Sequence, residues 1–365
     1  MFNIHHRNPI FCIVPPHIMV QIAQNGTKEQ RELALRALDL DHSVRTNRVT
    51  RSLMGGLRIS HDSATAPVPQ KQRMIYDSNH TQDLPGQPVR SEGQANVADV
   101  AVNQAYDGLG STFDFYLAAY QRNSIDNAGL PMIASVHMGQ NYDNAFWDGR
   151  QMVFGDGDGI IFNSFTSSLG VIGHELTHGV TGSEANLTYQ GQSGALNESI
   201  SDVFGSLVKQ YTLKQTAAQA DWLIGAGLLA KGIQGVALRS MKAPGSAYND
   251  PVLGNDPQPA DMAHYVHTAQ DNGGVHINSG IPNHAFFFLA TSLGGHAWEK
   301  AGLIWYDVLQ DPKLRPSANF AAFANLTALN ASHRYGANSV ERKAVIDAWN
   351  RVGIKVTPHV AAAGA

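Results

Sequence analysis

The spacing of apolar residues predicts three stretches of different structure along the chain. Residues 1–62 hold one clear helical pattern and lead into a segment rich in Ser, Ala and Pro. Residues 70–165 carry short apolar runs separated by Gly, Asn and Asp, which is typical of strands and turns, and one helix is expected at 96–117. Residues 166–355 are mainly helical in pattern, with looped insertions at 240–275.

The N-terminal stretch contains a recognisable helix start. Thr27 followed by Gln30 forms a capping-box pattern. In the run KEQRELALRALDLD that follows, Leu33, Ala37 and Leu38 fall on one side of a helix. The later segment SHDSATAPVPQ is typical of an exposed linker, and such linkers are common sites of proteolytic cleavage.

Composition narrows the class of protein. The 365 residues are 43% apolar and 15% charged with a formal net charge of −4, which indicates a globular chain. No basic stripe or polybasic cluster is present, so neither nucleic acid nor a membrane is an expected partner. The first residues lack the unbroken apolar run of a signal peptide, so we expect a cytoplasmic location or export by a non-Sec route.

The segment SLGVIGHELTHGV carries the chemistry. On a helix, His174 and His178 are four residues apart and share a face, so both imidazoles can bind one metal ion. Leu169, Ile172 and Leu176 fall on the other side, where a helix packs against a core. The alternative is an amphipathic helix whose histidines only pack or cap.

Glu175 lies between the two histidines, which is the place for the general base of a hydrolytic metal site. A catalytic zinc needs a third protein ligand. The metzincin pattern would require Gly and His at two positions that hold Thr181 and Glu184. The segment GALNESISDVF instead offers Glu198 as a zinc ligand and Asp202 as a hydrogen-bond acceptor for a ligand histidine. A solvated acidic face is the alternative for that pair alone.

Together these motifs resemble the thermolysin-like metalloproteases. HELTH is followed by NExxSD, with nineteen residues between His178 and Glu198, and the segments NAFW, GDGDG, LTYQ, LRSM and DNGGVHINSG extend the resemblance over nearly all of residues 70–355. The short pro-region with Pro-Pro resembles the protealysin-like branch. The resemblance implies a zinc-dependent neutral metalloendopeptidase that is made as a latent precursor, with one catalytic zinc held by His174, His178 and Glu198.

The resemblance also implies an α+β fold of two lobes, strand-rich at the N-terminal side and helical at the C-terminal side, with the active-site cleft between them. Processing of the precursor is expected between Leu57 and Gln70. The expected division of the chain is a pro-segment at 1–62, an N-terminal catalytic lobe with the HELTH helix at 63–192, a C-terminal helical lobe at 193–356 and a flexible tail at 357–365.

Further roles follow from the same resemblance. Tyr189 and His276 are expected to donate hydrogen bonds to the oxyanion, and Asp271 is expected to orient His276. Asn144 and the backbone of Ala145 are expected to hold an extended peptide substrate at an edge strand.

Substrate specificity is expected to come from the leaving-group side of the site. Arg239 is expected to bind the substrate carbonyl there. The pocket for the residue after the cleaved bond would be lined by Phe162, Phe165, Val171, Ile224 and Leu238. Because all five are apolar, cleavage before bulky apolar residues is expected.

The calcium ions of this family are expected to be absent from its double calcium site. Calcium takes about six to eight oxygen ligands. The matching positions hold Gly170, Lys209, Leu223 and Ala226, and Asp221 alone remains of the acidic set that aligns.

The pro-segment is expected to be an intramolecular inhibitor. Cys12, the single cysteine, lies in the segment FCIVPP, and a thiolate there can take the fourth position on zinc. An incidental buried cysteine is the alternative. Peptides or proteins are the expected substrates, and a monomer is expected.

Two other functions are weighed against this one. An aminopeptidase with HExxH would carry a GxMEN-type motif, which the sequence lacks. An inactive zinc-stabilised binding protein would be expected to lose its base or oxyanion donors, whereas Glu175, Tyr189 and His276 are all present.

Overall fold

The structure, a computed structural model, describes residues 11–40 and 69–357. The strands in these ranges are β1 (Phe11–Cys12), β2 (Arg73–Asp77), β3 (Gln87–Ser91), β4 (Met132–Val136), β5 (Ala145–Trp147), β6 (Met152–Phe154), β7 (Leu223–Ile224), β8 (Arg239–Ser240), β9 (Asn249–Asp250) and β10 (Gly254–Asn255). The helices are α1 (Pro16–Asn25), α2 (28–40), α3 (Val100–Tyr120), α4 (Leu169–Ser183), α5 (Gly191–Thr212), α6 (Asp271–Asn278), α7 (Gly280–Leu293), α8 (Ala301–Gln310), α9 (Phe320–Tyr335) and α10 (Val340–Arg351). The expected α+β fold, with strands towards the N-terminus and helices towards the C-terminus, is confirmed.

One six-stranded sheet underlies the N-terminal lobe, in the order β1-β5-β6-β4-β2-β3. The pairs β2–β4 and β4–β6 are parallel, and the remaining pairs are antiparallel. Strand β1 lies at one edge and pairs with β5, with Cys12 opposite Phe146. The N-terminal stretch is therefore part of the same sheet as the lobe that it precedes.

The helix predicted after Thr27 is confirmed. The backbone N–H of Thr27 donates to the side chain of Gln30 at 2.8 Å, and the N–H of Gln30 donates to the Thr27 hydroxyl at 3.3 Å. Leu33 and Ala37 are buried and Leu38 is half-buried on α2. This helix therefore packs through the face that the sequence pattern predicts.

The helix expected at 96–117 has different ends, since α3 covers Val100–Tyr120. The side chain of Asp99 accepts hydrogen bonds from the N–H groups of Ala101 and Val102, so it caps the first turn and fixes the start of the helix. The apolar pattern alone did not identify this cap.

Helices α4 and α5 carry the HELTH and NExxSD segments and approach each other closely. A Cβ placed on Gly205 would lie 2.5 Å from the carbonyl oxygen of Gly170 and 2.8 Å from the backbone nitrogen of His174. Glycine is required here because any side chain would separate the two helices. This approach brings the polar faces of the HELTH and NExxSD segments together.

The expected processing region and the expected C-terminal tail lie at the limits of the described residues. The expected processing region from Leu57 lies mostly outside the described residues, and so do residues 358–365 of the expected tail. Among the described residues, no helix combines the length and apolar character that crossing a membrane would require.

Candidate active site

The three candidate zinc ligands converge in the interior of the protein. His174 Nε2 and His178 Nε2 lie 3.1 Å apart, and each lies 3.5 Å from a carboxylate oxygen of Glu198. Ligands about 2.1 Å from a tetrahedral zinc ion are separated by about 3.4 Å. The fully buried Glu198 Oε2 accepts no hydrogen bond from the described residues, as befits a metal ligand. The donor set and its spacing therefore fit zinc.

Both histidines are held through their other ring nitrogen. Asp202 Oδ1 lies 2.8 Å from Nδ1 of His174. Asn197 Oδ1 lies 2.8 Å and Ser201 Oγ lies 3.0 Å from Nδ1 of His178. Contacts of this kind fix the ring orientation and point Nε2 towards the proposed metal position. Asn197 and Ser201 were missed from the sequence, although both belong to the NExxSD motif.

Asp202 is the centre of a buried network of charges. Arg239 donates to both of its carboxylate oxygens, at 2.9 and 2.8 Å, and Asn283 donates to Oδ2 at 2.8 Å. Burial alone would raise the pKa of Asp202, but the charges of Arg239 and His174 hold it below its usual value. Asp202 is therefore ionised, and the charge of Arg239 is compensated.

Burial is the main influence on the pKa values of His178 and Glu175, which both lie on α4. It lowers the pKa of His178 well below the usual value, and the neighbouring His174 adds to this effect. The neutral imidazole is the form that binds metal ions. Burial also raises the pKa of Glu175 well above its usual value, and the charge of Glu198 raises it further.

Glu175 is positioned by the edge of the sheet. Its Oε2 accepts a hydrogen bond from the backbone N–H of Trp147 on β5, at 3.1 Å. Its Oε1 is buried and accepts no hydrogen bond from the described residues. One oxygen thus fixes the side chain while the other is available to take up a proton.

His276 and its two neighbours form the other wall of the site. Asp271 accepts hydrogen bonds from the Nδ1 and the backbone N–H of His276, at 2.7 and 2.8 Å. Burial opposes a charge on the ring, but the carboxylate of Asp271 outweighs it and raises the pKa of His276. The Tyr189 hydroxyl contacts Glu198 and lies 3.2 Å from His276 Nε2. These residues, far apart in sequence, therefore meet beside the candidate zinc ligands.

The N-terminal stretch crosses the site and contacts His276, Arg239 and the edge strand β5. His276 Nε2 lies 3.2 Å from the carbonyl oxygen of Cys12. The N–H of Ile13 donates to the carbonyl oxygen of Ala145 at 3.1 Å, and Arg239 Nη1 donates to the carbonyl oxygen of Ile13 at 3.1 Å. An extended chain thus occupies the edge strand where a peptide substrate was expected.

The side chain of Asn144 binds both backbone groups of Val14, the residue after Ile13. Its Oδ1 accepts a hydrogen bond from the N–H of Val14 at 3.0 Å, and its Nδ2 donates to the Val14 carbonyl at 3.4 Å. Asn144 and Ala145 therefore contact extended backbone in the manner expected for substrate.

The five residues expected to form the specificity pocket are all buried. Ile224 pairs with Arg239 across the β7–β8 ladder, and its carbonyl accepts a hydrogen bond from Leu238. The side chain of Ile13 is fully buried. It belongs to the same apolar cluster as the five expected pocket residues, which are Phe162, Phe165, Val171, Ile224 and Leu238.

Cys12 contacts the site through its backbone. Its side chain is 2% exposed. The buried group of potential metal ligands within 4.8 Å of one another consists of His174, His178 and Glu198, for the residues that the structure describes. The contact with His276 comes from the Cys12 carbonyl, and ligation by the thiolate stays a prediction.

Comparison with protein families assigns both lobes. Residues 57–182 match the catalytic domain of thermolysin metallopeptidases, and residues 185–354 match their alpha-helical domain. The chain belongs to the thermolysin family of metallopeptidases. As a member of this family it is a zinc metalloendopeptidase, as the motifs predicted.

Individual relatives agree with this thermolysin-family assignment. The chain is 53% identical over 348 residues to an extracellular metalloprotease of Pectobacterium carotovorum subsp. carotovorum, covering 95% of this chain and 97% of the relative. It is 38% identical over 291 residues to thermolysin of Alicyclobacillus acidocaldarius subsp. acidocaldarius, covering 76% of this chain and 50% of the relative.

A solved structure supports the precursor form as well as the family. The precursor of protealysin, a metalloproteinase from Serratia proteamaculans, aligns with a TM-score of 0.85 and 53% identity, covering 94% of this chain and 99% of that one. The predicted similarity to the protealysin-like branch is confirmed, and the chain is a latent precursor with an N-terminal pro-segment.

Proposed function

We propose that this chain hydrolyses peptide bonds with zinc held by His174, His178 and Glu198, and with Glu175 as the general base. The observation that carries the proposal is the convergence of the buried His174, His178 and Glu198, whose ligand atoms lie 3.1–3.5 Å apart. All of the groups come from one chain, which supports the proposal of an active monomer. The lack of a basic stripe or polybasic cluster in the sequence supports the proposal that neither nucleic acid nor a membrane is a partner.

The chemistry supplied by bound zinc is polarisation of the substrate carbonyl and a lower pKa for the attacking water. Glu175 accepts the proton of that water and passes it to the leaving nitrogen. His276, held by Asp271, and Tyr189 donate hydrogen bonds to the developing oxyanion. Asp202 keeps His174 oriented and Arg239 in place.

Substrate backbone is proposed to follow the path of the pro-segment. Asn144 and Ala145 would bind it at the edge strand, and Arg239 would bind the carbonyl after the cleaved bond. The buried apolar residues around Ile224 and Leu238 would receive the next side chain. The expected preference is for bulky apolar residues after the cleaved bond, and a peptide library that favoured charged residues there would contradict it.

The pro-segment is proposed to inhibit the enzyme by covering this path until it is removed. Support comes from the hydrogen bonds that His276, Arg239 and Asn144 make to its backbone. Ligation of zinc by the Cys12 thiolate is the alternative way for the same segment to inhibit, in which the thiolate would take the position of the attacking water. Full latency of the zinc-loaded Cys12→Ser precursor would exclude that version alone.

The double calcium site of the family is proposed to be absent. Support comes from Lys209, whose ammonium lies 2.5 Å from the Asp221 carboxylate at a position expected for the cation. Gly170, Leu223 and Ala226 offer no carboxylate at the other matching positions.

The test of the main proposal is digestion of a quenched peptide with a central Gly–Leu bond. Processed wild-type enzyme should cut it, chelator should abolish cutting, and added zinc should restore it. Glu175→Ala should lose at least about 100-fold in rate because the base is gone. Chelator-resistant activity, or full activity in Glu175→Ala, would reject the assignment. Zinc binding without activity in the processed wild type would favour an inactive binding protein.

A further inference from the structure

The pro-segment contacts the residues proposed to hold a substrate, and these contacts lie on either side of one peptide bond. We propose that the Cys12–Ile13 bond is hydrolysed within the same molecule, by the active site that it covers. This inference rests on the proposed zinc-peptidase function, and it assigns the precursor an internal substrate.

The direction of the chain supports the proposal. Strand β1 runs antiparallel to the edge strand β5, with Cys12 opposite Phe146. The carbonyl before the bond lies 3.2 Å from Nε2 of His276, the proposed oxyanion donor. The carbonyl after the bond accepts a hydrogen bond from Arg239 at 3.1 Å. The groups proposed for the two sides of a cleaved bond thus bracket Cys12–Ile13.

The residues after the bond are also held as leaving-group residues. The N–H of Ile13 donates to the carbonyl of Ala145, and the N–H of Val14 donates to Asn144 Oδ1. Ile13 is a bulky apolar residue and is fully buried. It therefore meets the specificity proposed for this enzyme, which favours a bulky apolar residue after the cleaved bond.

The proposed base is linked to this backbone through strand β5. Glu175 accepts a hydrogen bond from the N–H of Trp147, and Trp147 pairs with Phe11 in the β1–β5 ladder. In the proposed step, the oxygen of water bonds to the Cys12 carbonyl carbon and the C–N bond to Ile13 breaks. Glu175 transfers the proton from the water to the departing nitrogen. The products are a carboxylate at Cys12 and an amine at Ile13.

The cut by itself is not expected to activate the enzyme. After hydrolysis, the piece that begins at Ile13 keeps its bonds to Arg239 and Asn144. It also keeps the buried residues of α1, which are Ile18, Met19 and Ile22. A nicked but still latent precursor is therefore expected, with activity appearing only after a second cut in the linker.

The first experiment follows the N-termini of zinc-loaded precursor by mass spectrometry. Wild type should produce a fragment that begins at Ile13, at a rate that does not change on tenfold dilution. In a mixture, isotope-labelled Glu175→Ala precursor should stay uncut at this bond over the same period. Cutting of the labelled precursor at the same rate as wild type would reject hydrolysis within the molecule.

Substitutions at Ile13 test the register. Ile13→Leu should retain the cut, whereas Ile13→Asp should lose it at least tenfold because a carboxylate replaces a buried apolar side chain. Val20→Asp is the matched control, because Val20 is 40% exposed on α1, and it should cut like wild type. Equal cutting of Ile13→Asp and wild type would overturn the proposal.

A second readout separates docking from catalysis. Cys12 is the single cysteine and is 2% exposed, so its reaction with a thiol reagent reports release of the docked segment. In the Glu175→Ala background, Ile13→Asp should speed this reaction at least tenfold, whereas Ile13→Leu and Val20→Asp should not. A protected thiol in Ile13→Asp would mean that Ile13 does not anchor the segment, which contradicts the proposal.

The outcome for this bond is distinguishable from the outcome for the enzyme. If processed wild type cuts the quenched peptide but zinc-loaded precursor never yields the Ile13 fragment, the internal cut is rejected and the peptidase function stands. If processed wild type is inactive as well, the proposed peptidase function is rejected, and the internal cut that rests on it is rejected too.

Discussion

Single buried side chains at this site depend on specific partners. The pair of Arg239 and Asp202 shows this best, because both side chains are buried and joined by two hydrogen bonds. The same Asp202 lies 2.8 Å from the ring of His174. One carboxylate therefore supports both the stability of the site and the geometry of a proposed zinc ligand.

Removal of this carboxylate should have two measurable effects. In the Glu175→Ala background, Asp202→Ala should destabilise the protein by about 3–5 kcal/mol because Arg239 is left as an uncompensated buried charge. Zinc affinity should fall by about 10- to 100-fold because His174 loses its orienting partner. Urea unfolding and zinc titration measure these effects.

Asp114→Ala is the control for this substitution. Asp114 pairs with Lys71 at the surface, with 51% of its side chain exposed. Its removal should cost at most about 1 kcal/mol and leave zinc affinity unchanged. Equal losses in the two variants would contradict the role given to Asp202.

His137 should make stability depend on pH. Its two ring nitrogens lie 2.8 Å from Asp156 and Asp99, and these carboxylates, Asp156 first, raise its pKa from 6.5 to about 9. A raised pKa in the folded state stabilises the protein fully below about pH 6.5, and this contribution is lost as the pH rises towards 9. Between about pH 6.5 and 9, the denaturation midpoint should therefore fall less steeply with pH in His137→Gln than in wild type. Parallel pH curves for the two proteins would contradict this.

At the scale of elements, the close approach of α4 and α5 decides how far apart the proposed zinc ligands lie. Both helices can be identified from local sequence, but their distance depends on Gly205, where a Cβ would meet backbone atoms of α4. Backbone cannot move aside as a flexible side chain can. The fit of these two helices therefore sets the separation of the ligand atoms.

Gly205→Ala should disturb both the fold and the metal site. The added methyl group should destabilise the protein by about 1–3 kcal/mol through overpacking and should weaken zinc binding. Gly182→Ala is the matched control, because a Cβ at Gly182 on α4 meets no atom within 4 Å. That variant should be as stable as wild type or about 0.5–1 kcal/mol more stable. A neutral effect of Gly205→Ala would contradict the importance of this contact.

Helix α1 holds a histidine that should weaken docking of the pro-segment in acid. His17 lies 3.3 Å from the Tyr248 hydroxyl, and its buried Nδ1 has no hydrogen bond from the described residues. Burial lowers the pKa of His17 from 6.5 to about 4, with Asp271 opposing the shift and His276 and Arg239 adding to it. The contribution of the neutral His17 ring to the free energy of docking is present above about pH 6.5 and is lost as the pH falls towards 4.

The reaction rate of Cys12 with a thiol reagent active in acid measures this effect in the Glu175→Ala precursor. Release should increase by up to about tenfold for each pH unit below 6.5. His17→Gln has no titrating ring and should show a smaller increase than the protein with His17. The same increase in both proteins would assign the effect to other groups.

At the scale of the whole molecule, the protein is expected to be stable without calcium. The proposed loss of the double site, with the pair of Lys209 and Asp221 in its place, means that calcium has nothing there to stabilise. Melting temperatures in excess calcium and in a calcium-selective chelator should agree within about 1 °C, since a ligand stabilises only in proportion to its binding. A rise of many degrees with calcium would contradict the proposal.

The local part of the site could be predicted from the sequence. His174 and His178 share a helix face because they are four residues apart, and the same holds for Glu198 and Asp202 on α5. The motifs also indicated the family, and with it the precursor form. Asn197 and Ser201 were missed because a spacing does not say which atom a histidine ring will meet.

Only the tertiary structure decided what lies across the site. Cys12 and His276 are 264 residues apart in sequence, yet they meet at 3.2 Å. The contact depends on the edge of the sheet, which pairs β1 with β5, and on the position of α6, which carries His276. Side-chain spacing within a helix is set by the geometry of its backbone, so the sequence determined the ligand pairs. The register of one chain segment against another is set by packing and hydrogen bonding, so the fold determined which peptide bond lies beside the proposed catalytic groups.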